Sequence, residues 1–208
     1  MKVACCMRLQ LILLSVLLLL LPLPATSASL FAELKSDPAQ VDACSFYSET
    51  SFRELIGQDG EFFSQSADAA YRRLADGTKA APDFSGCWWM LGFADDAFIM
   101  MQLQLYPVTG DEAKSRIDTQ LEVAQKMKSP LLPQQLDGLG DAALWSRLAA
   151  SVRWRYGEAV LIELIISEQV ADAKHQLDSD QRKQLSIRAA RAVDQAIRHT
   201  YPSLLTHP

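Results

Sequence analysis

The chain contains no asparagine, only three histidines, and only two cysteines beyond its first 28 residues. Without asparagine there is no Asn-x-Ser/Thr acceptor, which excludes an N-linked glycan. His175, His199 and His207 stand at no metal-ligand spacing from one another or from a cysteine, so no metal site is legible. No GxSxG elbow or local Cys/His signature offers a nucleophile beside a base, so no catalytic set is legible either. Internal repeats, low-complexity tracts and Pro/Gly/Ser-rich linkers are also missing, which excludes a solenoid, a fibre and a string of domains. Acidic residues outnumber basic ones, 25 to 20, and that field repels phosphate backbones, so nucleic acid is not expected as a partner. With 49% hydrophobic and 22% charged residues the composition is that of a folded globular chain rather than a disordered one.

One long apolar run is present, at the N terminus. Lys2 and Arg8 precede Leu9 to Leu21, and Pro22, Pro24 and the small residues Ala25 to Ser29 follow. A basic segment, an apolar core and a small-residue site read as a secretory signal peptide, with the cut expected after Ala28. Pro22 interrupts the core before the roughly 20 apolar residues that a bilayer span needs, so no stable membrane insertion is expected after cleavage. Cys5 and Cys6 precede the core, where no lipobox sits, and Val41-Asp42-Ala43-Cys44 lies too far past it to serve as one. The expected organisation is therefore a signal peptide over 1–28 and a single α+β domain over 29–208, secreted or periplasmic. That domain carries 18 basic against 25 acidic residues, a formal charge of −7. Cys44 and Cys87 are the cysteines it retains. An even pair in an oxidising compartment reads as one disulfide, with two free thiols as the alternative reading.

The pattern along residues 29–208 alternates between helical and strand periods. Ser48 is a candidate N-cap for a first helix with Phe52, Leu55 and Ile56 on one face and Gly57 as its stop. Ala67 to Ala75 suit a second. Cys87 to Leu91 and Phe98 to Tyr106 predict a hairpin about Asp95-Asp96, because Ile99, Met101, Leu103 and Leu105 alternate with Met100, Gln102, Gln104 and Tyr106. Thr109 and Glu112 have capping-box spacing ahead of Ala113, Ile117, Leu121 and Ala124. Three further strands are expected at Ala142 to Leu148, Ser151 to Tyr156 and Ala159 to Ser167, the last two joined by a two-residue turn at Gly157-Glu158. Asp178, with Gln181 three residues on, should cap a last helix whose stripe is Leu185, Ala189, Val193 and Ile197. The order ααββαβββα predicts an antiparallel sheet of about five strands with helices packed on one face.

Several separated features carry a resemblance. Cys44 lies ahead of a helix ending in Ile56-Gly57, Cys87-Trp88 opens the first strand, Leu136-Asp137-Gly138-Leu139-Gly140-Asp141-Ala142-Ala143 precedes the meander, and Gly157 turns its hairpin. This pattern resembles a family of bacterial exported proteins and lipoproteins of unknown function, best represented in actinobacteria and similar in layout to Mog1/PsbP-like domains. It would cover Asp42 to Tyr201. The resemblance implies a paired-cysteine framework and a noncatalytic exported module, with no cofactor, and the chain departs from it by lacking a lipobox cysteine. The glycines of the GxGD loop read as positive-φ turn positions, and the missing third glycine and helix argue against a phosphate cradle.

Two surface features are candidates for binding. Alternation points one of Trp88 and Trp89 away from the core, and an outward indole beside Gln102, Gln104, Arg153 and Arg155 would form an amphipathic patch, with Trp145 and Trp154 on other strands. Arg188, Arg191 and Arg198 recur on the last helix opposite its apolar stripe. The leading expectation is an exported noncatalytic binding or accessory protein of the bacterial cell envelope, its partner a protein or small apolar ligand. The alternatives are a small exported hydrolase using carboxylates or His175 and His199, and a structural component or assembly factor of an envelope complex.

Overall fold

The computed structural model describes residues 29–67, 69, 83–94, 96–109, 111–127, 129, 131–169 and 176–205. The expected signal peptide, nearly all of the helix expected over Ala67 to Ala75, Asp95, His175 and His207 lie outside the described residues. Seven antiparallel strands form one open sheet: β1 (Glu61–Ser66), β2 (Ser85–Gly92), β3 (Phe98–Pro107), β4 (Gln134–Leu136), β5 (Ala142–Ser146), β6 (Ser151–Tyr156) and β7 (Val160–Gln169). Their spatial order is β1-β2-β3-β7-β6-β5-β4. The helices are α1 (Leu30–Ser36), α2 (Glu49–Ile56), α3 over residues 112–127 and α4 (Ser179–Thr200).

The sheet is centred on β3 and β7, two ten-residue strands whose burial alternates, throughout most of β3 and from Ile162 onward in β7. Their pairs Met101↔Ile166, Leu103↔Leu164 and Leu105↔Ile162 stack buried side chains on one face. Val152, Trp154 and Tyr156 continue that face on β6 as the alternation predicts. Leu30 and Leu34 of α1, Phe52 and Leu55 of α2, and Ala189, Ala190, Val193 and Ile197 of α4 cover it. The α4 capping box forms as expected, with Asp178 accepting from Gln181 N–H and the Gln181 side chain accepting from Asp178 N–H.

The sheet is wider than the expected five strands, and not all helices lie on one face. The additions are both edges. Glu-Phe-Phe-Ser-Gln-Ser in β1 has no two-residue period, and β4 has only three residues. The helix α3 packs on the opposite face, where Ala113 and Ile117 bury against Val108, Leu144 and Leu161. The reason is local: β5 and β7 carry apolar residues on both faces here, Leu144 beside Trp145 and Leu161 beside Ile162, so this corner needs cover on both sides. The Thr109 capping box does not form; α3 begins at Glu112 behind Asp111, which makes no side-chain cap bond. Val108 is still tied to the sheet there, its N–H donating to the Ala159 carbonyl at 2.8 Å. The β6–β7 turn holds three residues rather than two, since Tyr156 pairs with Val160. The helix α1 precedes the first expected element; its two leucines, one turn apart, are fully buried.

The disulfide joins Cys44, in a 3₁₀ turn (Ala43–Phe46), to Cys87 on β2, with 5.0 Å between Cα atoms. Two hydrogen bonds flank it. Ser85 Oγ donates to the Val41 carbonyl at 2.6 Å, and Trp89 Nε1 donates to the Tyr47 carbonyl at 3.0 Å. Alternate residues of β2 thus hold every third residue of the 41–47 segment. The bridge closes a span of 43 residues. Replacing both cysteines by alanine should lower unfolding free energy by about 4 kcal/mol, read as a fall in the urea midpoint together with a steeper slope as the unbridged unfolded chain expands. A loss below about 1 kcal/mol would show that the flanking hydrogen bonds and packing hold the segment without the bridge.

Candidate functional site

Strand alternation and register place most of the sequence-predicted patch on the sheet face opposite the main core. One transverse row runs Gln65↔Trp88↔Gln102↔Ile165↔Ser151, the next Gln104↔Glu163↔Arg153↔Leu144, and Met90↔Met100↔Ser167 lies on the other side of the Trp88 row. Trp88 is half-buried, and its indole N–H is buried with no acceptor among the described residues. Trp89 does not belong to this patch. It points to the opposite face, is 1% exposed, and spends its N–H on Tyr47. Trp145 and Trp154 are also buried in the main core.

The two arginines of the patch are engaged by carboxylates. Arg153 Nε donates to Glu163 Oε1 at 2.7 Å across the β6–β7 ladder. Arg155 reaches both carboxylate oxygens of Asp118, at 3.3 and 3.1 Å, from the wide π-type turn of α3 (Ser115–Thr119). Gln104 accepts from the Tyr106 hydroxyl. The region around Arg153 and Arg155 is therefore a closed polar network, and the apolar and amide groups around Trp88 are part-buried, with Ser151 at the end of their row fully buried.

A second polar centre lies inside the fold and was not expected. Asp194 of α4, 5% exposed, accepts from the Tyr156 hydroxyl, from Gly140 N–H at 3.0 Å and from Arg198 Nε at 2.7 Å. Arg198 also donates to the Gly140 carbonyl at 3.1 Å and lies 5.2 Å from the centre of the Tyr156 ring. Burial, reinforced by the hydrogen bond to Asp194 and its charge, pushes the Tyr156 phenol well above its ordinary range, so it stays a donor. Arg198 consequently leaves the expected stripe on α4, whose exposed members are Arg188 and Arg191. The visible signal was an acidic residue inside an apolar stripe, next to Val193 and one turn from Ala190.

This centre explains the GxGD loop. Gly138 and Gly140 both have positive φ, +77° and +49°. At Gly140 a Cβ would stand 2.3 Å from the Arg155 carbonyl oxygen, whereas at Gly138 it would meet nothing within 4 Å. Asp141 then accepts from Gly157 N–H at 2.5 Å and donates its own N–H to the Arg155 carbonyl at 2.8 Å, which ties the loop to the β6–β7 turn. The arrangement is a structural clasp.

His199 is exposed at the end of α4, and Asp96 sits at φ +61° in the β2–β3 turn. Among the described residues there is no cluster of three or more His, Cys, Asp or Glu able to hold a metal ion. No described helix is long and apolar enough to cross a membrane. A groove of about 480 Å³ opens between the end of α2 and the start of α4, lined by Ile56, Leu177 and Leu185 with Asp178 and Asp180. No protein-family model, curated protein or solved structure matches the chain.

The two glycines of the loop should separate cleanly. Gly138→Ala should cost about 1–2 kcal/mol of stability, the strain of a left-handed alanine alone. Gly140→Ala should cost roughly twice that or more, because backbone must also move. Chemical denaturation of both variants measures this, and equal losses would show that the close approach to Arg155 is relieved at little cost.

Proposed function

We propose that the chain is a noncatalytic binding or accessory module of a bacterial cell envelope, exported by its leader, and that the part-buried sheet face around Trp88 takes up a protein segment or a small apolar ligand. The observation that carries this reading is the Trp88 indole N–H, withdrawn from solvent and lacking an acceptor among the described residues. A buried donor without a partner costs on the order of 1–3 kcal/mol, and a ligand carbonyl or hydroxyl would recover it. Met90, Met100 and Ile165 around it supply polarizable and apolar contact, and Gln102 supplies an amide that can donate or accept. The disulfide supports the export part, since such bonds persist in oxidising compartments. The resemblance to exported envelope proteins points the same way.

Tryptophan emission titrated with fractionated envelope extract tests the reading. Wild type should show a saturable shift in emission. Trp88→Phe, which keeps an aromatic side chain but removes both the donor and the reporting indole, should weaken binding about tenfold in isothermal titration while leaving the denaturation midpoint near that of wild type. A response equal in both proteins, or none in either, contradicts the assignment of Trp88 as the contact.

A further inference from the structure

Five large apolar side chains are exposed among the described residues, and four of them gather around one corner of the sheet. Val123 and Met127 share a face of α3 at i, i+4 spacing. Leu131 lies in the loop that leads from this helix into β4, and Leu148 lies in the β5–β6 turn. The register Gln134↔Trp145 brings that loop and that turn to the same end of the sheet. The fifth, Phe63, is on β1 at the far edge.

These leucines are held out by formed turns. Leu131 N–H donates to Ser129 Oγ at 3.3 Å and Leu132 N–H to the Ser129 carbonyl at 3.1 Å. In the other turn Ala149 N–H donates to Ser146 Oγ at 3.2 Å, and Ala150 closes it at φ +48°. The tips are markedly exposed: Met127 67%, Leu131 55% and Leu148 80%. Cations flank them in a chain of net charge −5. Arg147 is exposed beside Leu148 and makes no ion pair among the described residues, and Lys126, next to Met127, is only loosely paired with Glu122 at 3.7 Å.

We propose that this corner is a peripheral docking site for an anionic lipid surface, with Met127, Leu131 and Leu148 entering the boundary between headgroups and acyl chains and Arg147 and Lys126 at headgroup level. A shallow cavity of about 270 Å³ lies in this corner between α3 and β4, lined by Leu121, Ala124, Leu132 and Pro133, while Met127, Leu131 and Leu148 themselves stand exposed to whatever surface approaches. Apolar side chains that enter the interface, with basic side chains beside them, are the combination that holds proteins on anionic bilayers. The site is independent of the Trp88 face and needs no membrane-spanning segment.

Co-sedimentation with vesicles of phosphatidylcholine alone, and of equal parts phosphatidylcholine and phosphatidylglycerol, tests the proposal. The chain from Ser29 onward contains every described element and lacks the apolar leader, which would bind lipid by itself. It should bind the mixed vesicles, release with added salt, and bind the neutral ones at least about tenfold more weakly. Leu131→Asp with Leu148→Asp, both at exposed positions, should reduce partition at least about tenfold with an unchanged circular dichroism spectrum; Arg147→Glu should reduce it selectively on anionic vesicles. No binding, equal binding to both lipids, or binding unaffected by the double substitution overturns the proposal. So does self-association of the wild type that the double substitution abolishes, since that would identify a contact between copies.

Discussion

The segment 41–47 is laid along β2 by three links, Ser85 to Val41, Cys87 to Cys44 and Trp89 to Tyr47. A 3₁₀ turn over Ala43–Phe46 carries Cys44, and Val41 and Tyr47 on either side of it are extended, so one residue in three of this segment meets every second residue of the strand. Once the segment is held this way, the chain on either side is directed over the sheet: α1 sets Leu30 and Leu34, and α2 sets Phe52 and Leu55, on the same buried face. The main core is thus closed at this end by backbone acceptors and a covalent bond as well as by apolar contact.

At the other end the sheet depends on Asp194. Its carboxylate replaces the water it loses with three donors from three different parts of the chain, the β5 approach, β6 and its own helix. A buried charge is tolerated only when it is paired and its lone pairs are filled, and removal of any partner leaves the others unsatisfied. That requirement specifies where α4 sits along the sheet. The same loop needs a positive-φ glycine: only a residue without Cβ lets the backbone pass the Arg155 carbonyl while its N–H reaches Asp194.

Much of the architecture was legible in the sequence. The alternation in β3, β6 and β7 announced both the strands and their buried faces, and Asp178 with Gln181 announced the start of α4. What escaped follows from the same physics. An edge strand such as β1 is half-exposed and needs no two-residue period, and β4 is too short to show one. Leu144 and Leu161 lie off the parity of the main core and mark a second buried face beneath α3. In the patch around Trp88, alternation separated Trp88 from Trp89 in principle, but only the register shows which indole faces the core. Arg153 and Arg155 point outward as expected, yet their carboxylate partners come from β7 and from α3, at distances in sequence that no local pattern connects. Asp194 stood in view as a charge within an apolar stripe.

A disulfide pins the N-terminal segment and an internal clasp pins α4, and the proposed binding at the Trp88 face would rest on that frame; bonds of this kind persist mainly in oxidising compartments. The central claim is that the chain acquires its Cys44–Cys87 bond by leaving the cytosol. Intact mass of the protein recovered from outside the cytoplasm, after treatment with a thiol-blocking reagent and without reduction, measures this directly. The account predicts a chain beginning at Ser29 that carries no reagent; a full-length chain, or one with the reagent on both Cys44 and Cys87, would contradict it.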